Sequence, residues 1–231
     1  MARKQVSAIP AADPDDVKKV ILNAALEIFG TVGFDGASIG SIAKQCGVST
    51  ALVHYYFSSK GELWTNAVAK GMADFLHELE LSSDDTADLN PITRLKFSIR
   101  RYINYFAKSP FIFSIIVKES EVGSPRFKWL QKHHLRAFYE PWTATIQAIR
   151  DAGLLRISAP DYHIVLIIVG ACLHFLTSRH RVLPIYGVSP VHPELIRQHA
   201  NLVVDVVVHG ITRISEEGVE TTRAIANSPA G

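Results

Sequence analysis

Apolar residues recur at spacings of three and four along most of the chain, and glycine and proline interrupt this pattern. That spacing is typical of α-helices with one buried face. The pattern predicts an all-α fold, with helices near 14–32, 39–46, 50–56, 60–79, 91–109, 110–121, 125–152, 161–180 and 193–217. Pro141 falls inside the helix 125–152 and is expected to kink or split it, because proline lacks the N–H that a helix interior needs.

Several predicted helix ends carry capping residues. Asp13 is placed to cap the first helix, Pro14 suits its first position, and Gly33 is expected to end it. Ser59 and Glu62 have the spacing of a capping box, in which each side chain accepts a hydrogen bond from the backbone N–H of the other residue.

The two short helices 39–46 and 50–56 are joined by a tight turn with the sequence "CGVS". Gly47 tolerates the left-handed conformation that ends a helix, and Ser49 is a favoured cap for the next one. Ala43 is small enough to let the two helices cross closely. The arrangement predicts a helix-turn-helix. We expect one small core from the apolar residues Phe29, Phe34, Ile39, Ile42, Val53 and Phe57.

The inner face of the second short helix, 50–56, has room for only some of its residues. If Val53 and Phe57 point inward, the others cannot, because neighbouring residues on a helix are turned by about 100°. Short side chains at its start would let it enter a major groove, where Thr50 can hydrogen-bond a base. The alternative is an ordinary αα-hairpin in an all-helical protein.

Composition and charge exclude some classes of protein but give no direct support for DNA binding. The net charge is only +2, and residues 1–60 carry six Lys or Arg against five Asp or Glu, so a DNA-binding hypothesis rests on where polar groups lie. Cys46 and Cys172 lack the spacing of a disulfide framework or zinc ribbon and suit a reducing cytosol. The N-terminus has no apolar signal region. The longest apolar run, Ile164 to Leu173, has ten residues and is too short to span a membrane.

Catalytic and metal motifs are missing from the sequence. It has no nucleophile elbow, P-loop, Rossmann glycines or metal-ligand spacing, so neither an enzyme, nor a cofactor, nor a metal site is expected. A helical adaptor with a vestigial helix-turn-helix is a further alternative to a DNA-binding protein.

The stretch Ile21 to Leu63, "ILNAALEIFGTVGFDGASIGSIAKQCGVSTALVHYYFSSKGEL", resembles the TetR family of transcriptional regulators. The resemblance implies a helical homodimer whose N-terminal domain binds an operator in double-stranded DNA. It also implies a C-terminal domain that dimerises and binds a small-molecule effector, and most members are repressors released by that effector. The chain departs from the commonest pattern at His54, where a tyrosine is usual, and at Gly40, where some members carry a base-reading arginine.

The resemblance places Thr50, Ala51 and Leu52 at the positions that read bases in the family. It places His54 and Tyr55 at positions that touch phosphates or bases. Lys60 takes the position of a lysine that contacts phosphate. A lysine beside free N–H groups at the start of a helix would form an anion site. The predicted DNA-binding residues are Ser38, Lys44, Ser49, Thr50, Ala51, Leu52, His54, Tyr55 and Lys60.

Two apolar segments, 162–176 and 195–214, are predicted to form the dimer seam, since a helix that is apolar on most sides needs cover from more than one. The seam residues are predicted to be Leu173, Leu195, His199, Leu202, Val206 and Gly210. An extended core within one chain is the alternative.

Aromatic residues are frequent in the middle helices and suggest an effector cavity. The candidate ligand-binding residues are Tyr102, Phe106, Phe113, Trp129, His133, Trp142 and His174, with an ordinary helical core as the alternative. The chain is therefore predicted to have a flexible arm (1–13), a helix-turn-helix domain (14–60), a ligand-binding and dimerisation domain (61–217) and a disordered tail (218–231), and to work in the cytoplasm.

Overall fold

A computed structural model of the chain describes residues 13–79 and 89–213, without the side chains of residues 79, 179 and 180. The predicted tail and all but the last residue of the predicted arm lie outside these residues. Within them the all-α prediction is confirmed, since the extended backbone forms only an isolated antiparallel bridge between Leu155 and Thr212.

The helices follow the predicted order closely. Their bounds are α1 (Pro14–Gly36), α2 (Ile39–Cys46), α3 (Thr50–Tyr56), α4 (Lys60–Leu79), α5 (Pro91–Lys108), α6 (Phe111–Val122), α7 (Pro125–Leu130), α8 (Arg136–Asp151), α9 (Asp161–Thr177), α10 (Arg179–Tyr186), α11 (Pro193–Val203) and α12 (His209–Ile211). Turns of π-helix, Gln131–Leu135 and Val204–Val208, join α7 to α8 and α11 to α12.

The chain divides into two compact units. The first contains the residues up to Phe75 together with Phe111–Lys128, and the second contains Leu76–Pro110 and the residues from Trp129 onward. The helix-turn-helix domain predicted for 14–60 is thus part of a larger packed body. In that body α1 packs on both α2 and α6, and its inward residues include Ile21, Ala25 and Phe29.

The predicted helix ends hold with two differences. Asp13 caps α1 by accepting a hydrogen bond from the N–H of Asp15 at 3.1 Å. Gly33 has φ 78°, so the helix kinks there and continues to Gly36. At α4 the hydroxyl of Ser59 accepts from the N–H of Glu62 at 3.0 Å, but the carboxylate of Glu62 reaches Ser58 and not Ser59. Only half of the predicted capping box is therefore present.

The second unit is built around α5, which packs on α8, α9 and α11. Helix α8 continues through Pro141 without the split that the sequence pattern allowed. Pro141 and Ala137, whose carbonyl loses a helical partner, are both exposed, so water can replace the missing bond. The predicted helix 161–180 ends at Thr177, and α10 was missed because Pro184 interrupts its pattern.

Candidate nucleic-acid interface

The turn between α2 and α3 has the predicted geometry. Gly47 adopts the left-handed conformation, with φ 70° and ψ 25°, and the N–H of Val48 donates to the carbonyl of Ala43 at 3.0 Å. The hydroxyl of Ser49 then accepts from the N–H of Leu52 at 3.1 Å and caps α3. The turn therefore sets the direction of α3 through glycine conformation and one serine cap.

The inner side of the two helices is a small apolar core. Ile42, Val53 and Phe57 are buried, as is Phe29 of α1, while Ile39 and Phe34 are half-buried. The amide of Gln45 donates to the carboxylate of Glu27 at 2.7 Å, a link between α2 and α1 that the sequence pattern does not reveal. The core and this link fix the helix-turn-helix on α1.

The outer side of α3 is open to solvent. Thr50, Ala51 and His54 are exposed, Leu52 is half-buried, and the side chain of Tyr55 is 81% exposed. The Tyr55 ring meets Tyr56 edge to face, with ring centres 5.2 Å apart. A tyrosine this exposed contributes little to folding, and its ring and hydroxyl remain available to a partner.

Three other predicted DNA-binding residues lie nearby in sequence. Lys44 is exposed near the end of α2. Ser38 and Ser49 are exposed as well, but their hydroxyl groups already serve as helix caps. Ser38 shares its capping box with Ser41, whose N–H it accepts at 3.0 Å.

Lys60 has a different environment from the one expected. Its ammonium group donates to the carbonyl oxygens of Phe34 at 2.9 Å and Ala37 at 3.0 Å, and it lies 4.3 Å from the centre of the Phe34 ring. The sequence predicted that Lys60 and the free N–H groups at the start of α4 together form an anion site, whereas the ammonium group lies at the carbonyls that end α1. The carbonyls at the end of α1 attract the cation more strongly, because a helix C-terminus is its negative end.

A capped helix-turn-helix with an exposed second helix defines a DNA-binding protein of the helix-turn-helix class. Residues 21–65 match the model of the family described as bacterial regulatory proteins, tetR family. This match, together with the relatives below, supports a non-enzymatic DNA-binding regulator of the tetR family.

The similarity to known proteins extends beyond the helix-turn-helix. The HTH-type transcriptional regulator RutR of Escherichia coli (strain K12) is 26% identical over 84% of this chain and 90% of its own length. The HTH-type transcriptional repressor NicS of Pseudomonas putida is 22% identical over 90% and 98%. The crystal structure of the Bacillus subtilis regulator FadR in complex with stearoyl-CoA has a TM-score of 0.63 at 18% identity, covering 84% of this chain and 98% of FadR.

Some of the predicted ligand-binding residues contact one another. Tyr102, Phe106 and Trp142 are buried together in the second unit, where the Tyr102 ring centre lies 4.8 Å from that of Phe106 and 5.2 Å from that of Trp142. Trp129 and His133 contact each other, with ring centres 5.3 Å apart. His174 is exposed, and Phe113 belongs to the first unit. Phe138, which the prediction omitted, lies 5.9 Å from Tyr102.

The predicted seam residues also differ in burial. Leu202 and Val206 are exposed, whereas Leu195, His199 and Gly210 are half-buried. The Nε2 atom of His199 lies 3.2 Å from the carbonyl oxygen of Cys172, and the ring is tilted against that of Phe175, with ring centres 4.7 Å apart. Leu173 is only 1% exposed, so its assignment to a dimer surface was wrong: it faces the core of its own chain.

The described residues contain no group of three His, Cys, Asp or Glu side chains placed to hold a metal ion. A membrane-spanning helix is also missing from this part of the chain, since none is both long and apolar enough.

Proposed function

We propose that the protein is a cytoplasmic transcriptional repressor that binds a palindromic operator as a homodimer and is released by a small-molecule effector. The observation that carries this proposal is the exposed face of α3, with Thr50 and Ala51 at its start and Tyr55 81% exposed one turn later. Two of the relatives, NicS and the Streptomyces coelicolor protein SCO4008, are named repressors.

In this proposal the N-terminal end of α3 enters the major groove. Thr50 hydrogen-bonds a base edge, and Ala51 and Leu52 make apolar contacts with thymine methyl groups. His54, Tyr55 and Lys44 lie farther from the start of α3 and bind the sugar–phosphate backbone. Lys60 uses two of its three N–H donors on α1, and the third remains for a phosphate oxygen.

The homodimer is proposed from exposed apolar residues of the second unit. Tyr162, Leu166 and Ile167 of α9 are more than half exposed, and so are Leu202 of α11 and Val206 of the π turn after it. These helices pack against each other within the chain. Exposed apolar residues on helices that pack together are typical of an interface, and a second copy would cover them by two-fold symmetry.

The effector is proposed to bind in the second unit, near the aromatic cluster of Tyr102, Phe106, Phe138 and Trp142. Burial raises the pKa of Tyr102 well above its usual value and raises that of Tyr139, so both phenols stay protonated and neutral. Rings with a few neutral hydroxyl groups suit an apolar effector that carries polar atoms. The FadR complex with stearoyl-CoA is consistent with an effector site in a protein of this fold.

Release from DNA follows from the spacing of the two reading helices. An operator-bound dimer needs its α3 helices about 34 Å apart, one turn of B-DNA. An effector that favours another spacing weakens DNA binding only by its differential affinity for the two conformations. Helix α4 runs from the first unit into the second, and we propose that it transmits the change.

A promoter-reporter assay tests the repressor assignment. The wild-type protein should lower transcription from a promoter that carries the DNA sequence it selects from a random pool, and a ligand that copurifies with it should restore transcription. Unchanged or increased transcription with the selected sequence in place would contradict the repressor function.

A further inference from the structure

The carbonyl groups in the last turns of α1 are held by side chains from a distant part of the sequence. The ammonium group of Lys118, in α6, donates to the carbonyl oxygens of Gly30 and Thr31, the latter at 2.8 Å. The hydroxyl of Ser114 donates to the carbonyl oxygen of Gly30 at 2.7 Å. A cation at this end of a helix is stabilised by the helix dipole as well as by its hydrogen bonds.

The two helices touch most closely where these bonds form. A Cβ atom added to Gly30 would lie 2.7 Å from the Cβ of Phe111 and 2.8 Å from its Cα. The backbones of α1 and α6 therefore approach each other at a position that only glycine allows. The pair is a fixed contact inside the first unit.

A second link joins the same segment to Phe34 at the end of α1. The guanidinium carbon of Arg126 lies 3.8 Å from the centre of the Phe34 ring. Arg126 is held there by Glu119, a buried carboxylate that accepts from its Nε at 2.9 Å and from the hydroxyl of Ser124. Lys60 contacts the same ring, so the Phe34 side chain is in contact with two cations.

We infer that Lys118 and Arg126 are positioning residues for DNA recognition. They lie in 111–128, which no part of the family match at 21–65 covers. They hold the end of α1. Helix α1 is bonded to α2 through Gln45 and Glu27, and it shares a buried apolar core with α2 and α3. Loss of either residue lets α1 shift, and α3 then meets the base edges at the wrong angle.

The segment 111–128 also connects the second unit, along the chain, to the unit that contains α3. Residues 111–128 belong to the first unit, while the chain before Phe111 and after Lys128 belongs to the second. Lys118 and Arg126 therefore lie on a segment that is joined to the second unit at both of its ends. This inference rests on the proposed DNA-binding function and adds residues to it.

The test compares Lys118→Met, Lys118→Arg and Arg126→Gln with Lys128→Met, a matched loss of an exposed lysine from the same unit. Affinity is measured for the DNA selected by the wild-type protein and for unrelated DNA, at several salt concentrations, below the unfolding temperature of each variant. Lys118→Met and Arg126→Gln should weaken binding to the selected DNA by about tenfold, the effect of one lost well-placed contact. Lys118→Arg should restore most of the affinity, and Lys128→Met should change it little.

Two measurements show whether Lys118 acts by positioning α1 or by contacting DNA itself. They are the affinity for unrelated DNA and the slope of affinity against salt concentration. Both should stay at wild-type values in Lys118→Met, because the lysine binds α1 and no phosphate. A salt slope smaller by about 1 would make Lys118 a phosphate ligand and overturn the inference. Wild-type affinity for the selected DNA in both variants would also overturn it and leave the proposed function intact. Failure of the wild-type protein to select any DNA would overturn the proposed function itself.

Discussion

The ammonium group of Lys60 donates a hydrogen bond to the carbonyl oxygen of Phe34 at 2.9 Å and lies 4.3 Å from the centre of the Phe34 ring. One side chain at the start of α4 thus binds both the backbone and the side chain of one residue at the end of α1. This contact ties α4, which continues into the second unit, to the helix that supports α2 and α3.

Replacing Lys60 with Met should affect both folding and DNA binding. Loss of its charge-assisted hydrogen bonds should lower the free energy of unfolding by roughly 1–3 kcal/mol. Loss of a phosphate contact should weaken binding to every DNA sequence and reduce the salt slope by about 1. Chemical denaturation and salt-dependent anisotropy measure the two effects. An unchanged salt slope would restrict Lys60 to its role in joining α4 to α1.

Replacing Tyr55 with Ala should weaken DNA binding without affecting stability. The residue is 81% exposed, so the free energy of unfolding should change by no more than about 0.5 kcal/mol. Affinity for all DNA sequences should fall by roughly fivefold, which corresponds to about one hydrogen bond. Tyr186→Ala, at an exposed tyrosine of the second unit, is the control. Equal affinities for wild-type, Tyr55→Ala and Tyr186→Ala proteins would remove Tyr55 from the interface.

Replacing Gly30 with Ala should destabilise the first unit. The added methyl group would lie 2.7 Å from the Cβ of Phe111, and moving α6 away should cost about 1–3 kcal/mol of unfolding free energy. Gly40→Ala is the matched control, because its methyl group would meet only the Ser38 hydroxyl, at 3.9 Å. Equal stabilities of the two variants would show that α1 and α6 are not in close contact in solution.

Replacing Val206 with Asp should convert a dimer into monomers. The side chain is 64% exposed in the single chain, so the charge should not disturb the fold, but it would be buried without a partner in the seam. Sedimentation velocity measures the change, and circular dichroism checks the helical content. Val122→Asp, at a valine of the first unit that is 78% exposed, should leave the dimer intact. If the Val206→Asp protein remained a dimer, Val206 would not lie in the dimer interface.

The sequence predicted elements that depend on neighbouring residues. The helix-turn-helix follows from Gly47, Ser49 and the periodicity around them, and the outward direction of Tyr55 follows from the inward direction of Val53 and Phe57. All of these interactions lie within a few residues of one another, so a local pattern contains them.

Contacts between residues far apart in the sequence could not be predicted from local patterns. Ser114 and Lys118 bind carbonyl groups that lie 84 to 88 residues earlier, and periodicity says only that α6 has a buried face, not what it packs against. The burial of Leu173 was missed for a similar reason. A helix that is apolar on several sides does not reveal which side packs on its own chain and which remains exposed.

The exposed start of α3 is proposed to read the DNA sequence, and a substitution of Thr50 tests this role most directly. Wild-type and Thr50→Ala proteins should each be used to select bound DNA from one random pool. The wild-type protein should enrich two inverted half-sites centred about one helical turn apart, and Thr50→Ala should lose preference at one matching position in each half-site. Identical enriched sequences from the two proteins, or no enrichment by either, would contradict the claim.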